Sequence, residues 1–272
     1  MNDFFDVKLR TMSNYSTRFN LHNLKVLYFI AIFSIVIAIS GCTPSAQSTG
    51  TQVNSEELEK QVLQIIRNNP EAIIESVQAY QEQQLEQQQA SNQETLKQFK
   101  TNPQTKIGNS PTFGSTEQQI VLFEFSDFQC PFCSRVQGNL KEFMDKHQDR
   151  VTLVFKHLPL VRIHPQAIPA AKASWAAQQQ GKFWEYHDAL FEQQDKLGEE
   201  FYIEIANNLN LDIEKFNSDR KSQEAINSIQ EDMQLAQEIG ASGTPFFVMN
   251  GETFSGAVKL SDMEKILAKV SE

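Results

Sequence analysis

The chain has 272 residues, of which 40% are hydrophobic and 21% charged, a composition typical of a globular protein with one large or two smaller domains. Its net charge is −10, and removal of the first 41 residues leaves 20 basic and 32 acidic residues, a net charge of −12. This acidic balance argues against nucleic acid as a partner, because nucleic-acid binding needs a basic surface. The sequence also lacks the P-loop and GxGxxG motifs of nucleotide-binding proteins.

Residues 1–41 have the pattern of an export signal. A polar, basic segment precedes the uncharged run Val26–Ile39, which is shorter than the ~20 apolar residues of a spanning helix. The following Ile-Ser-Gly-Cys42 resembles a bacterial lipobox, which implies cleavage before Cys42 and lipidation of its sulfur. The alternative is an uncleaved N-terminal anchor. Either way, the chain is held at the membrane with its remainder outside the inner membrane, where disulfides can form.

Residues 42–55 are rich in Ser, Thr, Gly and Gln without periodicity, which predicts a flexible tether. Residues 56–100 predict a helical module with a break at Asn69-Pro70, where Asn69 suits an N-cap and Pro70 a first helical position. Apolar residues at helical spacing flank this break: Leu58, Val62, Ile65, Ile66, Ile73, Ile74, Val77 and Tyr80. Such short stripes need a partner, either the catalytic domain or further copies of the module. We expect a homo-oligomer, and the alternative is a solvated stalk.

Residues 101–272 predict an α/β domain. An apolar strand at Gln119–Phe125 leads into Cys130-Pro131-Phe132-Cys133, and sequence compatible with a helix follows. A second strand is predicted at Val151–Lys156 and a short edge strand near Thr105–Ile107. Helical patterns then extend over about 166–239, which predicts an inserted helical bundle.

The C-terminal part of the chain predicts a β-hairpin and a helix. Phe246–Met249 is an apolar strand, and the following Asn250-Gly251 is a strong type I′ turn signal. The chain is therefore expected to return antiparallel through Thr253-Phe254. Apolar residues at helical spacing between Leu260 and Val270 predict a closing helix.

The first sulfur of the C-x-x-C motif falls at the start of a predicted helix. Unpaired N–H groups and the helix dipole favour an anion there, so Cys130 should have a lowered pKa. Cys133, one turn later, should be more buried and act as the resolving thiol. The alternative is half of a zinc site, which usually takes four ligands. No second Cys pair is present and the histidines have no helical ligand spacing, so we expect no metal and no cofactor.

This layout resembles the DsbA-like thiol–disulfide oxidoreductases of bacterial envelopes, which have a thioredoxin fold with a helical insertion. The resemblance rests on Phe125–Cys133, His164-Pro165, Gly181–Trp184 and Gly243-Thr244-Pro245. The segment Leu58–Gln84 also resembles the N-terminal helical module of ScsC- and Com1-type members, in some of which it drives oligomerisation.

The resemblance implies roles for individual residues. Cys130 would be the nucleophile and mixed-disulfide site, and Cys133 would resolve the intermediate by forming the Cys130–Cys133 redox disulfide. Pro245 would be the family's cis-proline, and Thr244 would present its backbone to an extended substrate.

Glu124 matches the family's buried acid beneath the active site. An acid in an apolar strand should have a raised pKa, and it would relay the proton of Cys133. The alternative is an edge-strand acid that faces water. Within the active-site motif Pro131-Phe132, the strongly oxidising members carry histidine where this chain has Phe132. Phenylalanine has neither a charge nor an N–H to stabilise the thiolate, so we expect a less oxidising disulfide.

We therefore expect an enzyme of the bacterial cell envelope, a membrane-anchored lipoprotein that exchanges disulfides with secreted or envelope proteins. It would act as an oxidase or an isomerase, with a membrane redox partner that re-oxidises or reduces its cysteine pair. Thr244 before the proline resembles isomerases more than dedicated oxidases. The alternatives are a non-catalytic surface lipoprotein or adhesin and a metal-handling lipoprotein that retains the fold.

Overall fold

A computed structural model describes residues 55–272. The predicted export signal over 1–41 and the predicted tether up to residue 54, including Cys42, lie outside the described residues. In the part of the chain from 55 onward, no helix is long and apolar enough to cross a membrane.

Two helices begin the described chain. Helix α1 (Ser55–Asn68) starts with acidic residues and ends with Arg67, charges that complement the helix dipole, and none of its residues is buried. Helix α2 (Pro70–Thr101) starts at the predicted proline, so the predicted break is confirmed. The Asn69 side chain donates a hydrogen bond to the Ile65 carbonyl at the end of α1, at 2.7 Å.

Apolar side chains of both helices remain exposed to solvent. In α1 the exposed set is Leu58, Val62, Leu63, Ile65 and Ile66, and in α2 it is Ile73, Ile74, Val77, Tyr80 and Leu85. Only the last turns of α2 contribute to a core, through buried Thr95 and Phe99. The Phe99 ring packs edge-on against Phe123 at a centroid distance of 4.8 Å. The end of α2 is therefore part of the core of the domain that we expected to begin at residue 101.

The strands of the described residues form one mixed sheet in the order β1-β3-β2-β4-β5. They are β1 (Thr112–Gly114), β2 (Ile120–Ser126), β3 (Val151–His157), β4 (Phe246–Met249) and β5 (Glu252–Ser255). Strands β2 and β3 pair in parallel, with Glu124 opposite Phe155, and the remaining pairs are antiparallel. The α/β thioredoxin fold with a helical insertion is confirmed, and β2 lies at the centre of its sheet.

The helices after β2 are α3 (Pro131–His147), α4 (Ala167–Gln178), α5 (Phe183–Glu192), α6 (Glu199–Asn208), α7 (Ile213–Asp219), α8 (Gln223–Glu238) and α9 (Leu260–Val270). Side chains of β2 alternate between two cores because strand residues point to opposite faces. Val121, Phe123 and Phe125 share a core with Phe99 and α8, whereas Leu122 packs with α3 and α9. Glu124 and Ser126 follow Leu122 at the strand period of two, so they face α3.

The hairpin between β4 and β5 has the predicted turn. Asn250 and Gly251 both have positive φ angles, 43° and 88°, as a type I′ turn requires. The Asn250 side chain also accepts a hydrogen bond from the Val121 N–H, at 2.9 Å. The turn therefore fixes the start of the strand that leads to the cysteine pair.

The edge strand was predicted at the wrong residues. Residues Pro103–Lys106 form a short 3₁₀ helix, and the strand that pairs with β3 is Thr112–Gly114. Pro103 has no N–H and suits the first turn of a helix, which favours the helical turn over a strand there.

A buried ion pair connects β3 to α8. The Lys156 ammonium lies 2.9 Å from Asp232 Oδ1 and donates to the Ile107 carbonyl at 3.1 Å. The other Asp232 oxygen accepts the His157 backbone N–H at 2.9 Å. Lys156 and Asp232 are each 5% exposed, so the inserted helices are attached to the sheet by charges that are removed from water.

Candidate active site

Cys130 occupies the N-cap position of α3, directly before Pro131. Strand β2 ends at Ser126, and a tight turn follows in which Asp127 Oδ1 accepts the Gln129 N–H at 2.8 Å. The Cys130 N–H donates to the Asp127 carbonyl at 3.0 Å. Pro131 suits the first helical position because an N–H there would have no partner within the helix. The strand, turn and helix therefore place the first sulfur at the positive end of the helix dipole.

The two thiols differ sharply in acidity. The pKa of Cys130 is lowered to about 5, chiefly by the Cys133 thiol donating toward it, with further contributions from Thr244 and the backbone N–H groups of Cys133 and Phe132. The pKa of Cys133 is raised, first by burial and then by its thiol's interaction with Cys130. Cys130 is 3% exposed and Cys133 is fully buried. Both are free thiols in this structure, so it represents the reduced pair.

The loop before β4 faces the cysteine pair. The Thr244–Pro245 peptide bond is cis, and Cys130 Sγ lies 3.5 Å from the Thr244 carbonyl oxygen, within donating distance for the thiol. Antiparallel pairing of β4 with β2 brings these residues together across 114 positions of sequence.

Glu124 is fully buried in the central strand β2. The alternative of an edge-strand acid facing water is therefore wrong. Burial raises the pKa of Glu124 and outweighs the lowering by His187, Ser126 and Gln137. Gln137 Nε2 donates to Glu124 Oε1 at 2.8 Å, whereas Glu124 Oε2 has no hydrogen-bond partner.

Ser126 and Gln137 were missed by the sequence reasoning. The Ser126 hydroxyl makes no hydrogen bond of standard geometry, yet it lies close enough to lower the pKa values of both Glu124 and Cys133. The strand period of two already placed Ser126 on the face of Glu124. The helix period placed Gln137 one turn after Cys133. Both signals were present in the sequence.

Other contacts hold the turn around the cysteines. Asp127 Oδ2 lies 2.7 Å from His164 Nδ1 and accepts the Leu160 N–H at 2.9 Å. Gln194 Nε2 donates to the carbonyls of Phe128 and Cys130, at 2.7 and 3.0 Å. His164 is one of the residues that carry the family resemblance, whereas Leu160 lies in a loop and Gln194 begins a three-residue 3₁₀ helix, so no periodic sequence signal identified these two.

Phe132 lies on the surface beside the catalytic pair and is 49% exposed. The Arg135 guanidinium sits over its ring, 4.3 Å from the centroid, in a cation–π contact. Arg135 Nε donates to the Pro131 carbonyl at 3.4 Å. Phe132 therefore presents an apolar ring and an adjacent positive charge at the edge of the site.

The Cys130 thiolate should form near pH 5. We expect the 240-nm absorbance of the reduced full-length protein to rise with a midpoint near that pH, well below the ~8.5 of free cysteine. The folded pKa is depressed, so this group stabilises the reduced protein above the unfolded pKa, and the stabilisation is lost as pH falls through about 5. Cys130→Ala is the control and should lack the transition. A midpoint near that of free cysteine would contradict the prediction.

The Phe132→His variant should be more oxidising than the wild type. An imidazolium at this exposed position would stabilise the Cys130 thiolate and lower its pKa by about one unit, equivalent to about 1.4 kcal/mol or 30 mV. Equilibration with glutathione measures this shift, and Phe132→Leu is a neutral control. An unchanged potential in the histidine variant would show that position 132 does not set thiolate stability.

Among residues 55–272, no group of three or more His, Cys, Asp or Glu side chains is arranged to hold a metal ion. Of the five residues that the resemblance assigns to the site, Cys130 lies beside Cys133 and beside Thr244 of the Thr244–Pro245 loop. Glu124 is connected to this group through Gln137, which donates to both the Glu124 carboxyl and the Cys133 carbonyl. The proposed roles of the five residues stay predictions.

A family model described as thioredoxin matches residues 105–269. The chain belongs to the thioredoxin family. The match begins at the 3₁₀ helix before β1 and ends in α9, so it includes the cysteine pair, the cis-proline loop and the helical insertion.

Solved structures with a similar fold include three oxidoreductase-type or ScsC proteins. A thioredoxin-like oxidoreductase from Silicibacter pomeroyi is 31% identical, with a TM-score of 0.56 over 60% of this chain and 93% of that one. The thiol–disulfide exchange protein α-DsbA2 from Wolbachia pipientis is 20% identical, with a TM-score of 0.58 over 65% and 97%. Proteus mirabilis ScsC in a transitional conformation is 22% identical, with a TM-score of 0.56 over 81% and 97%.

The resemblance to DsbA-like proteins is therefore confirmed. The likeness to α-DsbA2 and ScsC shows the fold alone, since both identities are low. Together with the family match, the comparisons support a thiol–disulfide oxidoreductase at the level of the family.

Curated relatives include larger proteins. The Na⁺/H⁺ antiporter NhaA 3 of Salinispora tropica is 35% identical over 143 residues, which are 53% of this chain and 22% of that protein. The chain thus spans less than a quarter of the length of this curated relative. Antiport is part of that relative's name alone.

Proposed function

We propose that this protein is an envelope-anchored thiol–disulfide oxidoreductase that exchanges disulfides with secreted or envelope proteins. The observation that carries the proposal is Cys130, a low-pKa thiol at a helix N-terminus, 3.5 Å from the Thr244 carbonyl of the cis-proline loop. The Cys130 thiolate attacks a substrate disulfide, and Cys133 then displaces the substrate and forms the Cys130–Cys133 disulfide. The reverse sequence donates a disulfide to a substrate dithiol.

The surface around Cys130 favours extended polypeptides with apolar side chains. Phe132, Val161 and Ile163 are 49%, 53% and 68% exposed. Val161 and Ile163 belong to the loop whose Leu160 N–H bonds to Asp127, so this loop is held beside the turn that carries Cys130. Unfolded secreted chains present such apolar segments, and Thr244 offers them backbone groups for strand-like pairing.

Anchoring would come from the N-terminal segment. The apolar run before Cys42 and the lipobox-like residues support export followed by lipidation of Cys42. A membrane redox partner would then re-oxidise or reduce the pair. Mass spectrometry of the protein from membranes tests this step, since a mature N-terminus at a lipid-bearing Cys42 supports it. An unmodified Cys42 within an intact N-terminus would overturn lipidation.

The activity is tested directly with purified full-length protein. It should accelerate reduction of insulin by dithiothreitol and refolding of scrambled ribonuclease, and equilibration with glutathione would place it among donors or acceptors of disulfides. Protein alkylated at Cys130 is the control. Rates equal to those of the alkylated protein would overturn the enzyme assignment and favour a non-catalytic surface lipoprotein that retains the fold.

We further propose that the exposed apolar stripes of α1 and α2 mediate self-association. An oligomer that holds several cysteine pairs would favour isomerisation or reduction, whereas a monomer would favour oxidation. Burial of exposed isoleucine and leucine side chains contributes about 25 cal/mol per Å² of apolar area, which supports contact between copies.

If the apolar stripes mediate self-association, a charge introduced into them should weaken assembly. The Ile65→Asp and Ile74→Asp variants should shift the full-length protein toward the monomer in sedimentation equilibrium, because an aspartate would be buried at the contact. Gln61→Asp adds the same charge to α1 at a position outside the apolar set and should leave assembly unchanged. A strictly monomeric wild type would remove this proposal and leave the exchange chemistry in place.

A further inference from the structure

The carboxylate of Asp127 joins the tight turn after β2 to the loop 158–166, which connects β3 to α4. The Asp127 side chain is fully buried, and its Oδ1 accepts the Gln129 N–H within the turn, at 2.8 Å. Its Oδ2 accepts the Leu160 N–H at 2.9 Å and lies 2.7 Å from His164 Nδ1. Because a carboxylate only accepts, Nδ1 carries the hydrogen of this contact. One buried oxygen atom therefore holds two points of the loop.

Between these two points the loop presents apolar side chains to solvent. The Leu160 carbonyl accepts the N–H groups of Ile163 and His164, each at 3.0 Å, and this closes a turn. Outside α1 and α2, the described residues have four exposed large apolar side chains, namely Phe113, Phe132, Val161 and Ile163. All of these except Phe113 belong to the active-site motif or to this turn. Apolar side chains that are exposed together often mark an interaction site.

The Cys130 thiolate does not depend on the loop 158–166. The Cys130 carbonyl accepts a hydrogen bond from Gln194 at 3.0 Å, and the Cys130 N–H donates to the Asp127 carbonyl at 3.0 Å. The pKa of Cys130 is lowered chiefly by Cys133, and none of the other groups that lower it lies in the loop. The loop can therefore lose its attachment while the thiolate keeps its surroundings.

We propose that Asp127 and His164 are positioning residues for substrate recognition. They hold the loop so that Val161 and Ile163 contact apolar side chains of a polypeptide whose disulfide reacts at Cys130. The inference rests on the proposed exchange function and deepens it. In the reaction, the Cys130 thiolate bonds to one sulfur of the substrate disulfide, that disulfide breaks, and the other substrate sulfur leaves with the electron pair as a thiolate. The position of the loop determines how tightly the polypeptide is bound before this step.

Four variants separate the attachment of the loop from its surface. His164→Leu removes the hydrogen bond to Asp127, whereas His164→Asn is the conservative variant, because its amide nitrogen can donate to the same oxygen. The double variant Val161→Ser with Ile163→Ser tests the surface itself, and both positions are exposed, so the fold should tolerate it. Phe113→Ser is the matched control, since it removes an exposed apolar side chain from β1, outside the active-site motif and the loop.

The experiment mixes reduced full-length protein with a short peptide that is closed by one disulfide and has leucine beside each cysteine. Acid quenching and mass spectrometry follow formation of the Cys130–Cys133 disulfide. The half-saturating peptide concentration should rise about tenfold in His164→Leu and in the double variant, as expected for lost apolar contact, while the limiting rate changes by less than about twofold. His164→Asn and Phe113→Ser should behave as the wild type does.

Two further substrates test whether the effect depends on apolar contact. A peptide with serine in place of each leucine should bind more weakly to the wild type, and the preference for the leucine peptide should fall in His164→Leu and in the double variant. Oxidised glutathione has no apolar side chain for the loop to contact, so its rate of reaction should fall far less than that of the leucine peptide.

An unchanged half-saturating concentration in His164→Leu or in the double variant would overturn the proposal, as would a wild type that reacts equally well with both peptides. Equal losses with glutathione and with the leucine peptide would also overturn it, because a merely structural defect affects both substrates. The same applies if His164→Asn is as defective as His164→Leu. A wild type that reacts with neither glutathione nor the peptides would instead reject the exchange function on which the proposal rests.

Discussion

The Cys130→Ala variant should lose all catalysis of insulin reduction and of ribonuclease refolding. Cys130 is the only thiol of the pair with a lowered pKa, about 5, whereas burial and its interaction with Cys130 raise the pKa of Cys133. At neutral pH the protein therefore has one thiolate at the site, and the thiolate is the nucleophile in exchange. Removal of Cys130 leaves a buried, protonated Cys133 that no substrate reaches. The insulin turbidity assay with full-length protein measures the loss.

The Cys133→Ala variant is the matched control for this prediction. It retains the nucleophile, so it should still attack substrate disulfides, but it has no thiol to displace the bound substrate. We expect covalent complexes with substrate that migrate as larger species on non-reducing gels and disappear on reduction. Cys130→Ala should form none. Substantial insulin reduction by Cys130→Ala would show that another thiol performs the chemistry.

Much of the fold could be predicted from local sequence patterns. The apolar run of β2, the C-x-x-C at a helix start and the Asn250-Gly251 turn each have a signal within a few residues of sequence. The structure has the corresponding strand, helix and hairpin close to the predicted bounds. The break at Pro70 was similarly local, because proline favours the first helical position.

Features that depend on distant contacts were not predicted. The edge strand forms at Thr112–Gly114 because it pairs with Thr152–Val154, a choice that the sequence near Thr105 does not reveal. His187 reaches the region of Glu124 only because the insertion folds back over the sheet. The C-x-x-C at a helix start indicated a low-pKa Cys130 and a resolving Cys133, whereas the roles of Thr244, Pro245 and Glu124 came from the family resemblance.

The burial of Cys133 illustrates why acidity needs the whole fold. Sequence position places both sulfurs near the N-terminus of α3, where the helix dipole favours the thiolate form of each cysteine. Both sulfurs belong to the core that includes the inserted helices, but Cys130 keeps a small exposed surface whereas Cys133 is fully buried. Desolvation then raises the pKa of Cys133, and its thiol can donate toward Cys130. The division between nucleophile and resolving thiol is therefore a product of packing.

The largest loss of stability should follow from breaking the buried Lys156–Asp232 pair. Asp232→Ala would leave the Lys156 ammonium buried with the Ile107 carbonyl as its remaining partner among those described, and would remove the acceptor of the His157 N–H. Removal of one member of a buried ion pair typically costs about 3–5 kcal/mol, because the other charge stays uncompensated. Urea unfolding of the reduced full-length protein should show this decrease in the free energy of unfolding.

Replacement of both charges should be far milder. Burial raises the pKa of Asp232 despite the adjacent Lys156, so desolvation outweighs their attraction and the intact pair contributes little net stability. The double variant Lys156→Met with Asp232→Leu keeps similar volume and removes both buried charges. We expect its free energy of unfolding to fall by only about 1–3 kcal/mol, because the His157 N–H still loses its acceptor. A double variant as unstable as Asp232→Ala would show that this hydrogen bond, and not the unpaired ammonium, accounts for the loss.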